Sequence, residues 1–415
     1  MPAGHDDEVR REDSSARQQS RLPLEGIRVL DLSNLLAGPM MTMYLADFGA
    51  DVVKVEHPRG DEMRLWGRSK DGVGLFFKVI NRNKRAITLN LGTEQGRDLV
   101  RRMAARIDVV VESFRPGTLE RWGLGYEDLR AGNDRLIMAR VSGFGQDGPY
   151  APRPGFGTVA EAFGGYAAIS GFEDRQPLLP AFGLGDASTA IHGAYATLLA
   201  LYERDLGSGL GQCIDLALYD GLLTMLGSHV VDYDQLGVIE PRMGGRLAFA
   251  SPRNTYRTAD GDWIAMAGST QATFERTARA IGAEHLVSDP RFSDNRHRID
   301  NAVALDAELQ AALDRLSTED ALQRLWSAGA AAGPVNDVAD ILDDPHVAAR
   351  KNIVQVDDDE LGPVRMQGVV PRLGRTPGRV STAGPTKGRH NAEIYGSWAE
   401  LDEHELEDLS RAGVI

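Results

Sequence analysis

The sequence predicts an α/β protein whose larger part is an open, mainly parallel sheet. Three observations carry this. Short runs rich in β-branched residues begin at residue 26 and recur. Stretches of helical periodicity separate them, as parallel strands require. The runs end in loops rich in glycine, proline and polar groups, where open α/β sheets bind ligands.

In chain order, Ile27-Arg28-Val29-Leu30-Asp31-Leu32 reads as the first strand. Gly38-Pro39 opens a helix through Met43, Leu45 and Phe48, and Gly49 ends it. Val52–Glu56 and Arg85–Leu91 are the next strands. A helix with Leu99, Met103 and Ile107 in register follows, and Asp108–Glu112 and Leu136–Val141 are two more strands. After Gly183-Leu184-Gly185-Asp186, residues Ile191, Ala194, Tyr195, Leu198 and Tyr202 mark an apolar helical face. Leu206–Gln212 is a flexible turn into another apolar stretch. Residues 22–234 make a large domain and 235–252 a linker. A smaller α+β domain spans 253–350, opening with a hairpin around Asp260-Gly261 and continuing in helical patterns near Gln271–Ile281, Asn301–Arg315 and Thr318–Gly329. In 351–415 four prolines (Pro363, Pro371, Pro377, Pro385) forbid a continuous helix, so this part reads as a return strap to the large domain, closed by an acidic helix near Glu400–Arg411. Residues 1–21 are charged and polar and read as a disordered tail.

Composition narrows the function. The chain has 415 residues, 42% hydrophobic and 26% charged, with a net charge of -14. That balance argues against nucleic-acid binding but leaves room for an anionic small ligand at a local cationic site. One cysteine, Cys213, rules out an internal disulfide framework and fits a reducing cytoplasm; lying in an apolar run, it reads as a buried structural thiol. The nine histidines show no metal-binding spacing. No segment reads as membrane-spanning, the best candidate, Leu216–Val231, being interrupted by Asp220 and His229. Neither GxGxxG after the first strand nor a P-loop is present, which disfavours an ordinary NAD enzyme or ATPase.

The candidate chemistry centres on Asp186. It sits at or just before a helix N-terminus, where free N–H groups and the helix dipole favour an ionised carboxylate. An N-cap and a reactive acid both fit that position. The strand-end loops are Ser33–Pro39, Glu56–Gly60, Glu112–Gly117 and Ser142–Gly148.

The motifs Gly26–Asp31 with Ala37-Gly38-Pro39, Leu45–Glu56, Asn81-Arg82-Asn83-Lys84-Arg85, Glu112–Gly117, Ser142-Gly143-Phe144-Gly145 with Asp147-Gly148-Pro149, Gly185-Asp186 and Gly209–Gln212 occur in one order. From about Leu22 to the C-terminus the chain thereby resembles the class III CoA-transferases, a family that includes 2-methylacyl-CoA racemases. The resemblance implies a Rossmann-like large domain, a smaller domain joined by long linkers, and an interlocked homodimer. It implies CoA transfer from an acyl-CoA donor to a carboxylic acid acceptor, with coenzyme A as substrate and no permanently bound cofactor. Asp186 falls on the family's catalytic aspartate, which forms an aspartyl anhydride and then an aspartyl-CoA thioester. Leu36, His57, Leu89, Ser113, Phe114, Arg121, Ser142 and Phe144 fall on the CoA-binding path. Lys84-Arg85 reads instead as a turn fixing strand entry, and His192 as helix packing.

Three departures matter. Racemases of this family pair the aspartate with an upstream histidine, where this chain has Phe156; phenylalanine exchanges no proton, which favours transfer over racemisation. A non-catalytic acyl-CoA-binding module on the same fold is disfavoured by the retained Asp186. The family's longer glycine-rich lid is represented only by Gly244-Gly245 with Arg246, and His57 stands where an arginine is usual.

Overall fold

The computed structural model describes residues 21–415, so the expected tail over 1–21 lies almost wholly outside the described residues. Five of the apolar runs form strands: β1 (Arg28–Asp31), β2 (Asp51–Glu56), β3 (Arg85–Thr88), β4 (Val109–Glu112) and β5 (Ile137–Ser142). The stretch after Gly211 supplies β6 (Cys213–Ala217). All pair in parallel in the order β3-β2-β1-β4-β5-β6. The chain reverses direction between β1 and β4, so their carboxyl ends flank a topological switch point, where such sheets open a crevice.

Alternation along the strands decides the two faces. Val29, Val109, Val111, Ile137 and Ala139 meet helix α1 (Ala37–Asp47) and helix α4 (Leu184–Leu206). Leu30, Val53, Ile87, Val110 and Met138 meet helix α2 (Glu94–Ala104) and the C-terminal helix α5 (Asn391–Trp398), which brings Tyr395 and Trp398. Each large side chain so buried contributes about 2 kcal/mol. Pro39 lies in the first turn of α1, where its missing N–H costs nothing, and Gly49 (φ 99°) turns the chain out of the helix.

The stripe read as the apolar face of α4 does not face the core. Among its members only Ala194 is buried; Ile191, Tyr195, Leu198 and Tyr202 are exposed, Tyr202 by 68%. The buried face is mostly small, with Ser188, Thr189, Ala190, Gly193, Ala194, Thr197 and Ala200, and ends in the larger Leu201 and Arg204. Small residues let α4 press against α1, and a side chain on Gly193 would meet Met41 Sδ at 2.6 Å. Cys213 is likewise exposed, not buried: β6 is the sheet's edge strand, so its ends lack a covering neighbour.

The chain divides into two compact units. One comprises the stretch up to Gly164, Pro180–Met225 and Ala349–Ile415; the other comprises Gly165–Leu179 and Leu226–Ala348. The second holds an antiparallel sheet of β7 (Arg253–Arg257), β8 (Trp263–Ala267) and β9 (Ala331–Pro334), ordered β9-β8-β7. The β7–β8 turn contains Gly261 at φ 95°. Helices Gln271–Ala280, Ala302–Leu313 and Thr318–Ser327 pack around Phe274, Leu305, Leu309 and Leu325. The segment Gly165–Leu179 joins this unit through the Phe172–Met243 bridge and the bonds of Arg242 to Phe172 O and Arg175 O.

The strap rejoins the first unit as a hairpin, β10 (Ile353–Asp358) with β11 (Gly362–Gln367), followed by an irregular run. The motif Asn81–Arg85 holds it. Arg82 pairs with Asp47 at 2.6 Å and donates to Gln367 O at 2.7 Å. Asn83, at φ 60°, accepts from Ser381 N at 2.7 Å. Among the described residues no helix is long and apolar enough to cross a membrane. Leu216–Val231 breaks into the end of β6, the helix Asp220–Thr224 and the start of His229–Leu236.

Candidate active site

The site is built on the first turn of α4. The N-cap is Gly183, so Asp186 is the third residue of the helix and not its cap. Its carboxylate lies on bare backbone: any side chain on Gly157, the first residue of α3 (Gly157–Phe163), would collide with Asp186 Oδ2. A side chain on Gly183 would meet Leu36 Cδ2 at 2.8 Å, and one on Gly185 would meet Gly157 O at 3.1 Å. These glycines bring the three segments together around one carboxylate.

The electrostatics differ from the sequence expectation. Burial, with Glu161 of α3 as the next cause, pushes the Asp186 carboxyl up to about 6, against the downward pull of the backbone N–H groups of Asp186 and Ala37. Desolvation and a like charge outweigh the helix N-terminus. At pH 7 about nine-tenths of the carboxyl is still ionised. Glu161 is itself buried, and its Oε1 accepts from Gly185 N at 3.1 Å.

Beneath the site lies a buried charged network that fixes the loop after β1. Asp31 accepts from Ser33 N, Ser33 Oγ, Thr42 Oγ1 and Lys84 Nζ. Lys54 donates to Ser33 O and pairs with Asp61 at 2.9 Å. Lys84 also donates to Pro39 O at 2.7 Å, and burial lowers its ammonium to about 8. Lys84 therefore organises the loop rather than facing solvent. Side chains that must touch so closely leave no room on Gly38, which abuts Ser33.

The other sequence-derived positions are distributed along the carboxyl rim. Leu36 is buried beside Gly183. Ser113 Oγ accepts from Asn34 N at 2.8 Å, tying the ends of β1 and β4 across the switch point. Phe114 packs edge-on against Trp122 with centroids 5.4 Å apart. Arg121 is exposed and donates to Thr118 Oγ1. His57 is exposed at the end of β2, its imidazole held below its usual range by desolvation, Arg59 and Lys387. Ser142 is buried with its Oγ unpartnered among the described residues, an arrangement that leaves a hydrogen bond to be made. Phe144 joins an aromatic cluster with Tyr150, Phe163 and Tyr219. Leu89 is a correction: its side chain is 1% exposed and belongs to the core, so only its backbone can meet a ligand. His192 Nδ1 lies 2.8 Å from Ser188 O within α4. Gly244 and Gly245 belong to the second unit, where Gly244 (φ 67°) rests on Phe172 and Arg253 donates to Gly245 O at 2.6 Å.

Sequence reasoning missed Gly157 and Glu161, and it placed Ala37 only within a motif and a strand-end loop, without its N–H toward Asp186. Gly157 carried the one available signal, since it adjoins Phe156 in the string compared with the racemase histidine. Glu161 lies in a helix whose periodicity gives no reason to bury a carboxylate. Among the described residues no group of three or more His, Cys, Asp or Glu is placed to hold a metal ion.

A parallel sheet with this switch point and a buried carboxylate on its carboxyl rim define a class of open α/β proteins with a ligand crevice at that rim. Residues 24–391 match the model of CoA-transferase family III, and the chain belongs to that family and is a CoA-transferase. It is 44% identical to the succinyl-CoA–D-citramalate CoA-transferase of Chloroflexus aurantiacus over 96% of this chain and 99% of the relative. It is 34% identical to the succinate–glutarate CoA-transferase of Agrobacterium fabrum, over 92% and 96%. Among solved structures, a CAIB/BAIF family protein from Brucella suis superposes with a TM-score of 0.81 at 35% identity, covering 92% of this chain and all of that one.

Proposed function

We propose that the protein moves CoA from an acyl-CoA thioester to a free carboxylic acid through covalent intermediates on Asp186. The observation that carries this reading is the Asp186 carboxylate, buried on the backbone of Gly157 at the sheet's carboxyl rim. A carboxylate oxygen attacks the thioester carbonyl, the carbon–sulfur bond breaks, and CoA leaves as thiolate. The thiolate attacks the aspartyl carbonyl of the resulting anhydride and expels the donor acid, leaving an aspartyl-CoA thioester. The acceptor carboxylate attacks that thioester, and the released thiolate then takes the acceptor's acyl group, regenerating Asp186. A carboxyl titrating near 6 is ionised enough at neutral pH to attack and more basic than an ordinary aspartate.

Coenzyme A lies, in this reading, along the rim formed by Leu36, His57, the Leu89 backbone, Ser113, Phe114, Arg121, Ser142 and Phe144. The unpartnered Ser142 Oγ supports this, as do the cations Arg59 and Lys387 beside His57. The donor is succinyl-CoA and the acceptor a short dicarboxylic acid, a choice supported by relatives named for succinyl-CoA, malate, citramalate and glutarate. The working form is a homodimer in a reducing cytoplasm, supported by the uncovered apolar face of α4 and by the single cysteine, free and exposed.

Mass spectrometry after succinyl-CoA and hydroxylamine tests the reaction. A hydroxamate on Asp186 is the expected product. An unmodified Asp186, or Asp186→Asn protein exchanging CoA at the parental rate without deamidation, overturns it.

A further inference from the structure

One buried carboxylate near the site is not used by the chemistry above. Glu161 lies one turn into α3, 3% exposed, and among the described residues it has no ion-pair partner. Its Oε1 accepts from the backbone N–H of Gly185, the residue immediately before the nucleophile. The contact is built in from both sides. A side chain on Gly185 would meet Gly157 O at 3.1 Å and Ala160 Cβ at 3.5 Å, and one on Gly157 would collide with Asp186 Oδ2. Residues 157, 160 and 161 of one helix thus face residues 185 and 186 of another. Burying a second carboxylate beside a first, without a cation, is unfavourable for folding. An apolar residue or a glutamine at 161 would avoid that cost.

We propose that Glu161 is a positioning residue for the nucleophile: it fixes the first turn of α4 through Gly185 N–H and sets a second buried carboxylate against the turn that carries Asp186. The proposal rests on the reading of Asp186 as the nucleophile. With both carboxylates ionised, two like charges lie close together in a poorly solvated site. Acylation of Asp186 removes one of them, so the repulsion vanishes as the anhydride forms. The second charge therefore destabilises the resting carboxylate more than the acylated one and makes the attacking oxygen more basic. The raised titration of Asp186, with Glu161 as its second cause after burial, agrees with this arrangement.

The other charged groups on the elements packed against this turn are engaged elsewhere. From α1 only the Ala37 N–H reaches Asp186. On β5, Arg140 pairs with Glu112 and Glu120. On β6, Asp215 accepts from Gln146 N. Asp220, on the following short helix, accepts from Ala217 N, and His192 on α4 lies against Ser188 O. Glu161 is thus the charge that sets the acid limb.

The test is the pH dependence of kcat/KM for the donor, which reports the free enzyme and acyl-CoA and excludes the acceptor. In Glu161→Gln the amide oxygen still accepts from Gly185 N–H while the charge is gone. Its acid limb should move from about 6 toward the ordinary aspartate range, and its rate at pH 8 should fall about threefold to tenfold for a Brønsted slope of about one half. Glu161→Asp keeps the charge, and its acid limb should stay nearer the parental one whatever it costs in thermal stability. A Glu161→Gln limb at the parental pH overturns the proposal, as does an equal displacement in both variants, which would mark a packing effect. If Asp186→Asn retains parental exchange, the nucleophile assignment fails instead. If Asp186→Asn is inactive and the Glu161→Gln limb has not moved, the role of Glu161 alone fails.

Discussion

Asp186 sits where its ionised form is penalised, and that has a consequence for stability separate from catalysis. Its carboxyl titrates at about 6 in the folded chain against 3.8 in the reference state. The folded state therefore holds this proton more tightly than the unfolded one. The associated stabilisation is complete below about 4 and is lost as pH rises through about 6. Asp186→Asn, which carries no charge at any pH, should therefore be more stable than the parent at pH 8 by about 1–2 kcal/mol, allowing for partial solvent screening. The advantage should disappear at pH 4, and urea denaturation at the two pH values checks it. A second expectation concerns Gly157. Gly157→Ala drives a methyl group into Asp186 Oδ2, so exchange should fall about 100-fold, as for a misplaced reacting group, with a smaller change in melting temperature. Asp186 was legible in the sequence because a glycine-flanked acid before a helical pattern is visible in one dimension. Its raised titration was not, because burial and Glu161 arise from a helix some twenty-five positions upstream.

At the scale of elements, the loop after β1 is held by charge rather than by apolar contact. Asp31, Lys84, Lys54 and Asp61 are all buried, and each depends on the others. Lys84→Met would leave Asp31 without its closest cation in a site that water does not reach. Removing one partner of such a pair costs about 3–5 kcal/mol. The loop Ser33–Ala37 should loosen with it, lowering exchange because Ala37 N–H faces Asp186. The double variant Asp31→Asn with Lys84→Met should recover part of the stability, and equilibrium unfolding of all three proteins checks this cycle. The sequence showed five of the parallel strands within a residue or so, except that β3 ends at Thr88 and leaves Leu89 to Leu91 outside it. Propensity could not place that end, since strand termination there depends on the neighbouring strand β2 finishing at Glu56. Within the motif Asn81–Arg85, Lys84-Arg85 read only as a turn fixing strand entry. The motif's further work, clasping the strap through Arg82 and Asn83, involves residues nearly three hundred positions away.

At the scale of the whole molecule, the uncovered face of α4 is the feature a single chain leaves unresolved. Ile191, Tyr195, Leu198, Tyr202 and Leu206 recur at helical spacing along a helix of 23 residues, about 34 Å in length. The apolar periodicity was legible, but the direction it faces was not. Two stripes compete on α4, one of small residues and one of large ones, and the sheet takes the small one because α1 must lie close. Single exposed apolar residues are ordinary, whereas a continuous stripe of large ones signals an interface. The proposed homodimer would bury this stripe. Tyr195→Glu with Tyr202→Glu would put two charges into the dimer contact while leaving the α1-facing side of α4 untouched, so the chain should still fold. Sedimentation at micromolar concentration should find the parent as a dimer and the double variant as a monomer. Because α4 also carries Asp186 in its first turn, the monomer should lose exchange activity as well, and activity that rises with protein concentration would tie the two properties together. A parent protein that sediments as a monomer, or a double variant that stays dimeric, removes α4 from the interface.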